Sequence, residues 1–144
     1  SHVAVGGNPL NIREFFKHPA HMIGSDGLLL GDHLNPRTYG TFPMVLGDLV
    51  REEQTLDLSQ AIRKMTSFPA QRLGLEDRGV LRDFTKADIV VFDPRTVGTE
   101  ASLKDPKKMP TGIPYVIVNG RIVIDNGHHT GALPGVALRH RINS

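Results

Sequence analysis

The sequence predicts an α/β protein, with a strand and helices in its first half and a small antiparallel β module in its second. Three observations predict this division. Apolar residues from Phe42 to Val50 recur at the spacing of an amphipathic helix. Residues 89–92 are rich in β-branched side chains, which favour strands. Asn119 and Gly120 join two apolar runs in the way that a two-residue β-hairpin turn does.

The predicted strand of the first half lies between short helices. Asn11 and Glu14 have the spacing of a helix N-cap, which predicts a short helix that ends before Pro19. The apolar residues 20–23 predict a buried strand. The Gly-Ser-Asp-Gly run at residues 24–27 then predicts a tight turn at the carboxyl end of that strand.

Two longer helices are predicted before the pattern changes. The first runs from Phe42 to about Glu53. Asp57 and Gln60 have the spacing of a capping box and begin the second. A short helical turn at residues 67–74 then closes the helical part of the chain.

Short apolar runs in the second half predict strands. They lie at residues 80–81, 89–92, 115–118 and 121–124. The polar residues 94–114 between them predict a solvated surface loop. With 144 residues, the chain has the length of one ordinary domain.

Composition argues against several classes of partner. Lys+Arg 17 against Asp+Glu 15 gives a net charge of +2, which is too balanced for a surface that neutralises phosphates, so we expect no nucleic-acid partner. No apolar run approaches the roughly 18 residues of a membrane span, and no N-terminal export signal is visible. We therefore expect no membrane association and a cytoplasmic location.

The seven histidines do not have the spacing of a metal site. His128 and His129 are adjacent and would point to opposite faces of a strand, while Pro19 separates His18 from His21. No HxH or HExxH motif occurs, and the chain contains no cysteine. The favoured interpretation is that the histidines lie at helix ends or on the surface.

Asp26 occupies a position that favours catalysis. Barrels of the α/β class place catalytic groups at the carboxyl ends of their strands, where the loops meet. The glycines of the turn around Asp26 permit close approach of another molecule. The alternative is that Asp26 only stabilises its own turn through a bond from its side chain to the backbone. The residue pattern by itself leaves both interpretations open.

Several short motifs carry a family resemblance. The sequence reads MIGSDG at residues 22–27, NPRTYGTFP at residues 35–43 and AIRKMTS at residues 61–67. These motifs resemble the C-terminal part of the N-acyl-D-amino-acid deacylases, or D-aminoacylases. ADIVVFDP at residues 87–94 and VNG at residues 118–120 resemble the closing strands of the wider amidohydrolase superfamily.

The resemblance implies a parent protein with a metal-dependent (β/α)8 barrel and a small β-sandwich domain. Residues 1–77 would supply the last strand and helices of the barrel, and residues 78–144 the C-terminal strands of the β domain, so that both domains are incomplete. Because the chain opens on Ser1 and the family's metal ligands would lie upstream, we expect zinc in the intact parent and none on this chain alone. Superfamily members usually have glycine where this chain has Phe84, which predicts a rebuilt turn.

The resemblance also implies hydrolysis of an N-acyl-D-amino acid to a carboxylate and a D-amino acid. Zinc would polarise the amide carbonyl, and Asp26 would act as the general base and then the general acid. Arg37 would grip the substrate carboxylate, and Tyr39 would line the substrate pocket. The alternative is that Arg37 pairs with a structural acid such as Asp32 and that Tyr39 simply packs.

Two other interpretations of the chain stay open. Another amidohydrolase, similar to hydantoinases or dihydroorotases, would share the closing strands but not the NPRTYGTFP loop. A non-catalytic interaction module would fold stably by itself and have no affinity for zinc. The leading interpretation, a C-terminal fragment or subunit that is inactive alone, predicts exposed apolar surface covered by self-association or by a complementing N-terminal segment.

Overall fold

The computed structural model describes residues 8–31 and 34–139, and the elements named here belong to that part of the chain. The helices are α1 (Pro9–Lys17), α2 (Arg37–Met44), α3 (Leu58–Met65) and α4 (Ser67–Arg72), and a π-helical segment, Val45–Glu52, continues α2. The strands are β1 (Ile89–Val91), β2 (Tyr115–Val118), β3 (Arg121–Asp125) and β4 (His128–His129). None of the described helices is long and apolar enough to cross a membrane.

The chain divides into two compact units. Of the described residues, the first comprises 8–31, 34–65 and 93–112, and the second comprises 66–92 and 113–139. The first unit thus holds α1, α2, the π-helical segment and α3, whereas the second holds α4 and the four strands. The boundary at residue 77 expected for the domains of the intact parent stays a prediction.

An apolar cluster forms the core of the first unit. Its buried members are Ile23, Val45, Leu49, Leu56 and Ala61. The helical stripe predicted from Phe42 onward supplies two of these residues, which lie four positions apart and face the same side. Burial of a valine or leucine side chain of this kind stabilises the fold by about 1.5–3 kcal/mol relative to exposure.

Helix α2 begins earlier than predicted, at Arg37 instead of Phe42. The side-chain oxygen of Asn35 accepts a hydrogen bond from the backbone N–H of Arg37 at 3.0 Å, which satisfies one of the free donors at the helix start. Past Pro43, which offers no N–H, the hydrogen bonding widens to the π-helical pattern that ends at Glu52.

The chain forms no strand at residues 20–23, where the apolar run predicted one. Ile23 is buried as expected, but its N–H donates to the carbonyl of Lys64 in α3 at 3.0 Å instead of to a strand. A strand exists only beside a hydrogen-bonded neighbour, and none of the described strands pairs with these residues. The place of residues 20–23 in a complete barrel stays a prediction.

The strands of the second unit form one antiparallel sheet in the order β1-β2-β3-β4. The predicted hairpin is confirmed, since Asn119 and Gly120 have φ angles of 48° and 77° and connect β2 directly to β3. A second turn of the same composition, Asn126-Gly127, connects β3 to β4 and was not predicted. The predicted strand at residues 80–81 is wrong, because both side chains are exposed and form no ladder.

The turn at Phe84 is not rebuilt, contrary to the prediction. Phe84 itself adopts a φ angle of 66°, the left-handed conformation that glycine tolerates best. Its side chain is fully exposed, so no packing offsets the strain.

Residues 94–114 are more than the solvated loop that was predicted. Val97 is fully buried in the first unit, and its carbonyl accepts a hydrogen bond from the guanidinium of Arg51 at 2.5 Å. Gly98 and Thr111 pair across the segment as an antiparallel bridge. Lys107 and Lys108 are exposed, as the polar composition indicated.

Candidate active site

The candidate site is built on the turn at residues 24–27, which precedes α2. Asp26 has a φ angle of 47°, a conformation that aspartate adopts more readily than most residues. The turn is stabilised by a hydrogen bond from the N–H of Gly27 to the hydroxyl oxygen of Ser25 at 3.2 Å. A bond from the side chain to the backbone of this turn was considered for Asp26. In the structure, Ser25 forms a bond of this kind.

Helix α2 holds the turn in place through Arg37, its first residue. The guanidinium places Nη2 2.9 Å from the Oδ2 atom of Asp26. Its Nε donates to the backbone carbonyl of the same residue at 2.9 Å. Gly27 lies so close to α2 that a Cβ atom there would stand 3.1 Å from the Cα of Thr38. The start of α2 therefore fixes both the backbone and the side chain of Asp26.

The carboxylate of Asp26 is accessible. Its side chain is 79% exposed and that of Arg37 is 41% exposed. Ion pairs this open to solvent contribute only about 0–1 kcal/mol of stability. The guanidinium can therefore exchange one carboxylate for another at small cost, and Asp26 can meet a reactant without first leaving an apolar environment.

Two further predictions for this site concern the pairing of Arg37 with Asp32 and the position of Tyr39. Asp32, the structural acid considered as a partner for Arg37, lies outside the described residues. Tyr39 is half-buried in α2, two positions after Arg37, a spacing that places two helical side chains on different faces. The structure thus joins Arg37 to Asp26, and the role of Tyr39 in a substrate pocket stays a prediction.

Lys64 is a residue that sequence reasoning missed. Its side chain lies in the first unit with only 4% of the residue exposed. The ammonium donates to the carbonyls of His18 at 2.6 Å and of His21 at 3.1 Å. Burial lowers the pKa of Lys64, and the positive charge of Arg63 adds to this shift. The available signal was its position three residues after the buried Ala61, on the apolar face of α3.

His18 and His21 lie at the end of α1 and just beyond it, in line with the favoured interpretation. His21 packs against Phe16 with ring centroids 4.9 Å apart, and its buried Nδ1 atom has no hydrogen-bond partner among the described residues. Burial lowers the pKa of His21, and the positive charges of Lys64 and His18 lower it further. Within residues 8–31 and 34–139, no three His, Asp or Glu side chains gather in a way that could hold a metal ion.

An apolar surface lies next to the turn. Leu28, Leu29 and Leu30 follow Gly27 directly, and all of them are exposed. Three adjacent exposed leucines are unusual on a soluble surface and indicate a contact site. The exposed apolar surface expected of a fragment is present at this position.

Comparison with known proteins identifies the class to which this fold and site belong. A model of the amidohydrolase family matches residues 8–124, which is most of the chain. The chain therefore belongs to the amidohydrolase family.

Deacylases are among the similar proteins. The chain is 45% identical over 129 residues to an N-acyl-D-aspartate deacylase of Alcaligenes xylosoxydans xylosoxydans, covering 89% of this chain and 26% of that protein. It is similar to the crystal structure of the N-acyl-D-glutamate deacylase of Bordetella bronchiseptica complexed with zinc and a phosphonate inhibitor, at 42% identity with a TM-score of 0.78, covering 81% of this chain and 24% of that one.

A D-aminoacylase with a binuclear metal center is similar at 38% identity with a TM-score of 0.81, over 87% of this chain and 26% of that one. The resemblance to N-acyl-D-amino-acid deacylases is thereby confirmed, and so is an amidohydrolase fold. The chain spans about a quarter of the length of these relatives.

Proposed function

We propose that this chain supplies the acid–base carboxylate and the substrate-binding arginine of a zinc-dependent N-acyl-D-amino-acid deacylase. It would work as the C-terminal part of a metal-dependent (β/α)8 barrel and of a small β-sandwich domain. The single observation that supports this function most is the exposed Asp26, held at its backbone and side chain by Arg37. This turn lies in a chain that is similar to deacylases along 89% of its length.

Asp26 would transfer the proton in amide hydrolysis. As a carboxylate it takes a proton from the attacking water, and as a carboxylic acid it returns that proton to the departing nitrogen. The C–N bond of the amide breaks, and the products are a carboxylate and a free D-amino acid. An exposed carboxylate on a tightly held turn suits both steps, because it can reach water and leaving group without a large rearrangement.

Arg37 would hold the carboxylate of the substrate. A guanidinium forms two parallel hydrogen bonds to a carboxylate, which fixes the orientation of the amino acid. The open ion pair with Asp26 would be replaced on substrate binding, and this exchange would free Asp26 for proton transfer. Tyr39 would line the substrate pocket from a different face of α2.

The rest of the site would come from outside this chain. The described residues do not fit a zinc site by themselves, and zinc is present in the Bordetella bronchiseptica relative. The exposed leucines at residues 28–30 support a contact with a complementing N-terminal segment or with another copy of this chain. The chain alone would then be inactive.

A chimera tests this function. The full chain replaces its matching segment in the D-aminoacylase of Alcaligenes xylosoxydans xylosoxydans, which is 44% identical over 117 residues. We expect the zinc-loaded chimera to release D-amino acids from N-acyl-D-amino acids and the chain alone to release none. A chimera that folds and binds zinc but hydrolyses only dihydroorotate or hydantoins would support the other amidohydrolase class.

Exchange of the carboxylate for an amide tests the role of Asp26. In the chimera, Asp26→Asn keeps the shape of the side chain but cannot accept the proton, so we expect kcat to fall by about 10²–10⁴-fold. The matched control is Asp83→Asn, which changes an exposed aspartate of the second unit and should leave kcat unaltered. Near-normal turnover by Asp26→Asn would contradict the proposed role.

A further inference from the structure

Lys64 of α3 forms hydrogen bonds with the segment that leads to the candidate catalytic turn. The ammonium of Lys64 donates to the backbone carbonyls of His18 and His21, and the carbonyl of Lys64 accepts the N–H of Ile23 at 3.0 Å. Three hydrogen bonds thus join one helical residue to three residues of the segment. The side chain of Ile23 is anchored in the apolar core beside them.

This attachment stands directly before Asp26. The fixed residue Ile23 precedes Asp26 by three positions, and the Nε atom of Arg37 holds the backbone carbonyl of Asp26 from the other side. The residues between these two anchors are Gly24 and Ser25, which carry little side-chain packing of their own. The position of the carboxylate therefore depends on the two anchors, one at α3 and one at the start of α2.

The chemistry of Lys64 indicates a role beyond stability. Removal of an ammonium from water is costly, and backbone carbonyls compensate for it only in part. An apolar side chain of similar length would fill the same space without that cost. What such a side chain could not do is hold the carbonyls of residues 18 and 21 at a fixed distance from α3.

We propose that Lys64 is a positioning residue for catalysis, which sets the place of Asp26 by tying residues 18–23 to α3. This inference rests on the proposed function of Asp26 as the proton-transferring group. Lys64 does not contact the reacting atoms, and Arg37 continues to bind the substrate when Lys64 is changed. A change at Lys64 therefore lowers kcat and leaves KM almost unaltered.

The test compares Lys64→Met with Lys64→Arg in the zinc-loaded chimera. Misplacement of a catalytic group by about 1 Å lowers turnover by up to about 10²-fold, so we expect Lys64→Met to lower kcat by about 10- to 100-fold, with KM within twofold. Lys64→Arg keeps a cation with several donors and should restore most of the rate. The matched control is Lys104→Met, which changes an exposed lysine of the same unit.

A double-mutant cycle with Asp26→Asn separates positioning from a merely structural role. If Lys64 acts through Asp26, Lys64→Met should cause no further loss of kcat in an Asp26→Asn background, with rates expressed per folded, zinc-containing enzyme. An additive loss in that background, an effect on KM alone, or an unaltered kcat would overturn the inference. If Lys64→Met does not fold, the same cycle with Lys64→Arg applies, and its partial loss should vanish in the Asp26→Asn background.

The single variant Asp26→Asn tests the proposed function separately. Normal turnover by that variant would reject the function of Asp26 whatever Lys64 does. A large loss from Asp26→Asn together with an additive Lys64→Met effect would reject only the inference about Lys64.

Discussion

Two tight turns of this molecule share a backbone conformation but differ in what surrounds them. Asp26 has a φ angle of 47° and Asn119 one of 48°. The side-chain amide of Asn119 is fully engaged, because its oxygen accepts from Arg78 at 2.7 Å and its nitrogen donates to the carbonyl of Pro134 at 2.7 Å. The carboxylate of Asp26 meets one arginine at the surface.

The arginines of the two turns also differ in exposure and in the number of their partners. Arg78 is 12% exposed and pairs with Asp88, whose other oxygen accepts the backbone N–H of Asn119 at 2.8 Å. Arg37 is far more exposed, and within the described part of the chain it pairs with the turn residue alone. The comparison teaches that the hairpin turn uses its polar groups to stabilise the sheet, whereas the Asp26 turn leaves its carboxylate exposed to solvent.

The largest effect expected from this comparison is on substrate binding at the exposed arginine. In the chimera, Arg37→Ala should raise KM for N-acyl-D-amino acids by about 10- to 100-fold, because hydrogen bonds between charged groups contribute about 1.5–3 kcal/mol. KM for neutral amides without the carboxylate should be almost unaltered, whereas kcat should fall for both kinds of substrate, because Arg37 also holds the backbone of Asp26. Steady-state kinetics on both substrates measure the difference.

The matched control for Arg37 is Arg95→Ala. Arg95 also pairs with an aspartate, Asp93 at 3.0 Å, and its side chain is exposed. An equal change in KM for acids and neutral amides would mean that Arg37 only supports its turn.

The partly buried hydrogen-bond network of the hairpin should affect stability instead of substrate binding. We expect Asn119→Ala to lower the free energy of unfolding by about 1–3 kcal/mol, since it leaves Arg78 without one acceptor and places alanine at a positive φ angle. Urea unfolding of the chain, followed by circular dichroism, measures this effect. Asn126→Ala, at the second turn with a φ angle of 48° but with exposed surroundings, is the control and should cost less. Equal losses at both turns would show that the network around Arg78 contributes no more than the exposed hydrogen bonds of Asn126 with Tyr115 and Asp125.

The smallest effect concerns another residue with a positive φ angle, Phe84. Phe84→Gly should raise stability by up to about 1 kcal/mol, because relief of the left-handed strain exceeds the added flexibility of the unfolded chain. A rise in Tm of about 2–4 °C would correspond to this gain. A lower Tm would mean that the exposed phenyl ring makes contacts in solution that compensate for the strain.

Features that depend on neighbouring residues could be predicted from the sequence. The Asn119-Gly120 turn needs only its own two residues to adopt positive φ angles. The start of α3 also depends on neighbouring residues, since Asp57 accepts a hydrogen bond from the backbone N–H of Gln60 at 2.7 Å. Asp26 stood out for the same reason, because the glycines around it are visible in the sequence.

Features that depend on distant residues could not be predicted in this way. The strand expected at residues 20–23 requires paired strands that this part of the chain does not provide. Burial of Lys64 depends on carbonyls more than forty positions away. The partner of Arg37 is set by how α2 lies against the turn. The burial of Val97 could not be predicted either, because it is a single apolar residue within a polar stretch.

The burial of Val97 in the first unit has a consequence for synthesis on the ribosome. Residues 8–65 cannot complete their packing until residues 93–112 have emerged, because these later residues belong to the same unit. Synthesis proceeds at about 5–20 residues per second. Part of the apolar surface of the early helices therefore stays uncovered for some seconds. The pairing of strand β1 is delayed as well, since its neighbour β2 begins only at Tyr115. Nascent chains stalled before Val97 should therefore be more sensitive to protease than chains released after β3.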